Sequence, residues 1–166
     1  MHSNSGFWAQ GQTSEWCGES IDSTHRLMRG LARRFGFTLD NVIAAEPSGS
    51  VETNFLLGTY YTDAELAADL RPVLPVLLAQ RTAVGNRYRY DNYNKAAAML
   101  DQMTCRDGIE RFVPGGNGSR LGRYLNLGLI SVYGLDTPRL SALNIVLPLS
   151  SDERFHVRGG NEQIPK

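Results

Sequence analysis

Ser119–Gly134 reads SRLGRYLNLGLISVYG. Ser119 can accept hydrogen bonds from the first free amides of a helix, and Gly134 can turn left-handed and stop one. Between them Leu121, Leu125, Leu129 and Val132 recur at helical spacing. The stretch therefore predicts a helix over 120–133 with an apolar stripe on one side.

The residues on either side predict a mainly helical chain. Pro114–Gly118 is a loop, and Thr104 caps a short helix to Phe112. Tyr93–Met103 carries an Ala-Ala-Ala-Met-Leu face and is read as a helix. Thr62-Asp-Ala-Glu65 has the form of a capping box before Leu66, Leu70, Leu74, Leu77 and Leu78. Pro72 and Pro75 fall inside that run, so a kink or split near Arg71 is expected. Thr53–Tyr61 reads as a β-hairpin with Gly58-Thr59 at its turn. Further back, Ile21–Gly36 reads as a helix capped by Asp22 or Ser23. Leu27, Leu31 and Phe35 form its apolar side, with Met28 beside them, and Arg26, Arg29, Arg33 and Arg34 its wet side. Downstream, Asp136-Thr137-Pro138 opens a helix through Leu147, and Phe155–Arg158 is a short strand before Gly159-Gly160. The fold class is α+β, mostly helical, with short strands near both ends.

Composition limits the function. The 166 residues carry 17 Lys+Arg and 17 Asp+Glu, a formal charge of zero, which leaves no electrostatic footprint for nucleic acid or an anionic membrane. A hydrophobic fraction of 42% with 20% charged residues is that of a folded chain, not a disordered one. No run of 18 apolar residues spans a bilayer. Met1–Gln10 has neither the basic start nor the apolar core of a leader. The expectation is a soluble chain leaning to the cytoplasm, with export left open. Cys17 and Cys105 form neither a CxxC nor a zinc spacing, and whether they pair is open.

Three stretches invite chemistry. Arg87-Tyr-Arg-Tyr-Asp-Asn-Tyr93 interleaves bases and aromatics as single-strand binders do. With zero net charge and one such stretch, an amphipathic strand or loop edge is favoured. Gly115-Gly-Asn-Gly-Ser119 before a helix has the form of a phosphate cradle, but it lacks a P-loop lysine, and loop plus cap is favoured. Glu15-Trp-Cys-Gly-Glu-Ser-Ile-Asp22 runs into the first helix, and Gly18 permits close approach of a backbone or a flat ligand. Neither His25 nor His156 belongs to a catalytic or metal-binding pattern.

Several segments together resemble the flavin-containing amine oxidase family, in particular bacterial flavin monoamine oxidases. They are Trp8–Asp22 followed by Arg26–Gly36, then Val113–Gly122, then Ser141-Ala-Leu-Asn144, then Ser151–Gln163, in the family's order. The resemblance implies an FAD-dependent enzyme with a Rossmann-like cofactor domain and a mixed helical and sheet domain over the flavin. Such an enzyme oxidises an amine to an imine and passes the electrons to oxygen, giving peroxide. By residue, Cys17, Gly18, Glu19 and Ser20 match the family's Gly-Gly-x-x turn beside the isoalloxazine ring. Cys17 stands where a glycine is usual. The amides of Glu19 and Ser20 would meet flavin N5 or O4. Tyr124, Leu125, Gly128 and Leu129 match the helix lining the amine cavity, with Gly128 enlarging it. Gly159-Gly160 would be a structural turn.

The resemblance also divides the chain. Residues 1–22 would be an edge of the FAD domain, 23–150 the helical substrate domain, and 151–166 a return strand and turn. The segment Ile145–Ser151 is shorter than the family's and carries Pro148. The family's Gly-x-Gly-x-x-Gly turn and acidic ribose partner have no counterpart in these residues, nor do its flavin-contacting lysine and aromatic cage. The chain is thus expected to be an internal fragment, inactive alone, with no catalytic residue of its own. The expected partner is a primary amine or amino-acid-like small molecule, with no nucleic acid, membrane or metal, and homo-oligomers are allowed. The competing expectation is a non-catalytic helical interaction module derived from that fold.

Overall fold

A computed structural model describes residues 2–147 and 153–164. In chain order the first half holds β1 (His2–Asn4), β2 (Ser14–Trp16), β3 (Ile21–Asp22), α1 (Arg26–Arg34), β4 (Leu39–Asn41), β5 (Asn54–Leu56), β6 (Thr59–Tyr61) and α2 (Asp63–Val84). Then come β7 (Tyr88–Arg89), β8 (Asn92–Tyr93), α3 (Lys95–Asp101), α4 (Cys105–Phe112), α5 (Arg120–Tyr133), α6 (Leu143–Val146) and β9 (Arg154–Val157). The fold is α+β, with short strands and longer helices. Two compact units divide it: Met1–Ser50 with Ser150–Lys166, and Val51–Leu149. Pro148, Leu149, Ser150 and Ser151 of the segment expected to be shortened lie outside the described residues.

In the first unit β9 is the middle strand of an antiparallel sheet of order β3–β9–β4. Ile21 faces Phe155 on one side, and Leu39 faces Val157 on the other. The helix expected from Ile21 therefore starts late. Residues 21–22 are drawn into the sheet by β9, and α1 begins only after a turn closed by Asp22 N donating to His25 Nδ1 at 3.1 Å. The expected caps Asp22 and Ser23 are not used; His25 holds the cap position. Gly36 ends the helical segment in a left-handed conformation, as expected. The buried face also differs. Met28, Leu31 and Ala32 pack on Ile21, Val157 and Ile164, while Leu27 is 84% exposed and Phe35 is also exposed. Arg29, placed on the wet side by the sequence, instead donates to Ser23 O at 2.8 Å and lies 4.7 Å over the Phe155 ring.

The second unit is built on helices. Thr62 and Glu65 form the expected capping box at the start of α2. The hairpin before it turns one residue earlier than expected. Leu56 faces Thr59, so Leu57 and Gly58 are the turn, both with positive φ. That two-residue turn matches the twist of the strands, at the expense of a left-handed leucine. Pro72 and Pro75 do not split α2, which runs unbroken over 22 residues. Its inward stripe is Leu66, Leu70, Val73, Leu77 and Val84, so packing on both sides of the prolines holds it together. Leu74 and Leu78 face outward instead.

Downstream, α4 and α5 span the expected residues, capped by Thr104 and Ser119. Asn94 starts α3 two residues later than expected, because Tyr93 pairs in β8. The helix expected over 136–147 is interrupted. A 3-10 turn at Thr137–Arg139 leads to extended backbone at Leu140, and only Leu143–Val146 is α-helical. The cause is pairing with the loop before α4: Cys105 N donates to Leu140 O at 2.7 Å, and Ala142 N to Met103 O at 2.8 Å. Leu100, Ile109, Leu121, Ile145 and Val146 join the α2 stripe in one apolar core.

Candidate functional site

The turn at Cys17–Ser20 joins β2 to β3. Cys17 and Gly18 are both left-handed, each with φ of 66°. For a residue with a Cβ this conformation costs about 1–2 kcal/mol, so Cys17 holds a shape that a glycine would take freely. All four residues from Cys17 to Ser20 are exposed. Among the described residues, the amides of Glu19 and Ser20 donate to no acceptor.

What fixes this turn is Asn161, which is fully buried. Its Nδ2 donates to Gly18 O and Glu19 O, each at 2.8 Å, and its Oδ1 accepts from Val157 N at 2.8 Å. Its backbone N donates to Glu15 Oε1 at 2.7 Å. Glu15 is held from the other oxygen by Ser3 Oγ at 2.7 Å. Glu162 accepts from Ser3 N at 3.1 Å and lies 3.0 Å from His2 Nδ1. A single carboxamide, on a residue whose backbone N is held by the Glu15 carboxylate, thus pulls two turn carbonyls inward. The sequence reading missed Asn161 and Glu15. The available signal was Gly159-Gly160, whose φ values of 86° and 115° make the sharp return that places Asn161 under the turn. A polar residue after two glycines reads as exposed loop, and nothing local says that it is buried.

The second set of expected site residues lies in the other unit. On α5, Leu121 is buried, and Tyr124, Leu125 and Leu129 pack partly buried against the apolar core. Tyr124 meets Tyr61 edge-on at 6.2 Å. Gly128 is exposed, with open space within 4 Å of where a Cβ would stand. Three of the four expected cavity residues thus contribute to core packing, and the fourth faces outward.

Tyr61 anchors a polar cluster beside them. It is fully buried, and its hydroxyl donates to Asp69 Oδ2 at 2.8 Å. Burial, and then the Asp69 carboxylate, push its phenol well above the usual range. The Arg120 guanidinium lies 4.5 Å over the ring and donates to Glu65 Oε1 at 3.0 Å. The Thr62 amide, followed by Arg120, holds the Glu65 carboxyl down at about 2. A cavity of about 620 Å³ opens next to this cluster, between residues 51–54 and 60–64.

His25 accepts from the Asp22 amide at its own helix start, and His156 faces Asp40 across the β4–β9 pair. Among the described residues, no three of His, Cys, Asp and Glu gather as a metal site. Cys17 is exposed and Cys105 buried, both as free thiols, and burial pushes the Cys105 thiol up to about 11. No helix among the described residues is long and apolar enough to cross a membrane. Comparison with protein-family models, with curated proteins and with solved structures returns no match.

Proposed function

We propose that the chain supplies the flavin-edge turn and amine-side helices of an FAD-dependent amine oxidase. One observation carries this reading. Residues of the first and last blocks of the resemblance, 142 and 143 positions apart in sequence, meet in one constellation: Asn161 of the last block holds the turn carbonyls of the first. The turn keeps a Gly-Gly shape even where Cys17 replaces the first glycine.

The residues fit one end of the cofactor. Asn161 draws the Gly18 and Glu19 carbonyls to the inside. The exposed amides of Glu19 and Ser20 are then available to acceptor atoms at the edge of a flat ring. When bound, the flavin supplies the two-electron acceptor for the carbon bearing the amine. The chain's part is to hold that ring edge, and the apolar positions on α5 keep water from the second unit's interior. The residues do not fit the pyrophosphate, because no Gly-x-Gly-x-x-Gly turn after a strand occurs in the 166 residues. Amine oxidation is therefore proposed for this chain together with such a glycine-rich unit, on a primary amine or an amino-acid-like molecule.

Lumiflavin, the ring system without ribityl or phosphates, tests the turn directly. Titration of the purified chain should quench flavin fluorescence saturably. Gly18→Val should abolish the quenching, and Gly118→Val should leave it. Cys17→Gly should preserve it, since φ of 66° suits glycine. FAD itself should be lost on desalting, because the charge-assisted hydrogen bonds to the pyrophosphate, about 1.5–3 kcal/mol each, are missing. Unsaturable quenching, or equal effects of the two valine variants, would remove the ring-edge reading.

A further inference from the structure

The hairpin between α2 and α3 has no part in the flavin reading, yet it is firmly built. β7 and β8 pair Tyr88 with Tyr93 and Arg89 with Asn92, leaving Tyr90-Asp91 as the turn. Asn94 ties its base. The Asn94 amide donates to Arg87 O at 3.2 Å. Its Nδ2 donates to Ala83 O at 2.9 Å and Val84 O at 3.2 Å, while its Oδ1 accepts from Ala97 N at 2.9 Å. Through its backbone N–H and its carboxamide, Asn94 thus joins the end of α2, the hairpin and the start of α3. Arg81 adds a second tie, donating to Gly85 O at 2.7 Å with its guanidinium 5.8 Å from the centre of the Tyr88 ring.

Between this hairpin and α3 lies a cavity of about 450 Å³. Tyr88, Tyr90 and Tyr93 wall it, with Ala97 and Ala98 on the α3 side. Tyr90 is 93% exposed, so its ring has no cover from the chain. The lining carries one cation, Arg89, and one carboxylate, Asp101. Among the described residues neither forms an ion pair, with the other or with any third group. Two opposite charges that share a cavity without pairing suit a ligand that carries both signs. A simple anion would leave Asp101 facing it, and a simple cation would leave Arg89. Nucleic-acid phosphates, the partner suggested by the interleaved sequence, would meet Asp91 and Asp101 as well as the arginines.

We infer that this cavity binds a free α-amino acid with an apolar or aromatic side chain. Arg89 takes the carboxylate through its planar fork, Asp101 takes the ammonium, and the tyrosines cover the side chain. The inference draws on the second unit alone and stands apart from the flavin reading.

Isothermal calorimetry on the intact chain with three related probes tests it. They are L-phenylalanine, phenethylamine (no carboxylate) and 3-phenylpropionate (no ammonium). L-Phenylalanine should bind about tenfold or more tighter than either analogue, because each analogue forgoes one charge-assisted hydrogen-bonding group. Arg89→Gln should weaken L-phenylalanine and 3-phenylpropionate by about tenfold and leave phenethylamine unchanged. Asp101→Asn should weaken L-phenylalanine and phenethylamine and leave 3-phenylpropionate unchanged. The comparison of probes on the unaltered chain decides the matter even where a variant folds poorly. Absence of saturable L-phenylalanine binding up to about 10 mM would overturn the inference. So would equal affinity for all three probes, or salt-sensitive binding of an oligothymidylate that Tyr90→Ala removes.

Discussion

The two compact units are held by different physics. In Val51–Leu149, fixed positions follow from apolar packing: Val73, Leu77, Leu100, Ile109 and Val146 are each almost wholly out of water, and each makes the others' burial complete. In the unit formed by the terminal segments, the buried apolar set is short: Ile21, Ala32, Val157 and Ile164. There the turn and β9 are tied to one buried carboxamide, whose residue is held at its backbone N by Glu15, while Glu162 holds Ser3 of β1. An apolar core spreads its stabilisation over many side chains. A polar tie concentrates it, because removing one partner leaves buried groups unsatisfied.

That contrast can be broken most directly at Asn161. Asn161→Leu removes two donors and one acceptor at once, leaving Gly18 O, Glu19 O and Val157 N unpaired. The expected loss is about 3–5 kcal/mol, read by hydrogen exchange as reduced protection in β3, β4 and β9 while α3–α5 stay protected. Equal loss in both units would show that the two ways of holding structure are not separable.

Leu100→Ala is the counterpart in the apolar unit. Leu100 is fully buried in the core, so the truncation should cost about 3 kcal/mol. Here protection should fall first in α2–α5 and survive in the β3–β9–β4 sheet. Chemical denaturation of the two variants, followed with a probe in each unit, should show the larger midpoint shift in the unit that carries the substitution.

Two glycines on α5 give a finer test of how tightly the apolar unit packs. A Cβ on Gly122 would press into the backbone of Gly116 and Asn117, which cannot swing aside as a side chain can. Gly122→Ala should destabilise by about 1–3 kcal/mol. Gly128 has open space around it, so Gly128→Ala should stabilise by up to about 1 kcal/mol through helix propensity alone. A destabilising Gly128→Ala would mean that this exposed position packs against something in solution.

The smallest effect concerns charge. Glu65 sits at about 2 in the folded chain against an ordinary 4.5, so it contributes stability fully above pH 4.5. That contribution fades as the pH falls from there to about 2. Glu65→Gln should therefore lower the thermal midpoint at pH 7 and match the unaltered chain near pH 2. A difference that persists in acid would assign the effect to packing rather than to ionisation.

What the sequence made legible were features decided within a few residues. Thr104, Ser119 and Gly134 mark α4 and α5 because a cap needs only its own side chain or its own freedom to turn. The Thr62–Glu65 box is legible for the same reason. Ile21–Asp22 was not, because its strand character is imposed by Phe155 and Arg154, more than 130 residues away. Nor was the break at Leu140, which the loop before α4 imposes through Cys105 N. The continuity of α2 depends on what its far side packs against, whereas the prolines signal only the local penalty. At the candidate site, Gly18 announced a tight turn, but the Asn161 clamp beneath it combines a turn with a burial that no local pattern encodes.

The placement of β9 also sets an order of events as the chain is made. β3 and β4 do not pair with each other; each pairs with β9, the middle strand and the last of the three to be synthesised. Every segment of Val51–Leu149 leaves the ribosome before β9 does. The helical unit can therefore collapse on its own contacts while β3 and β4 wait without a partner. When β9 arrives it closes a loop of more than one hundred residues. A prefolded insert shortens that closure, since the entropy lost depends on the length of chain still free. Slowing the collapse of the Val51–Leu149 unit should therefore delay the sheet that holds the Cys17–Ser20 turn.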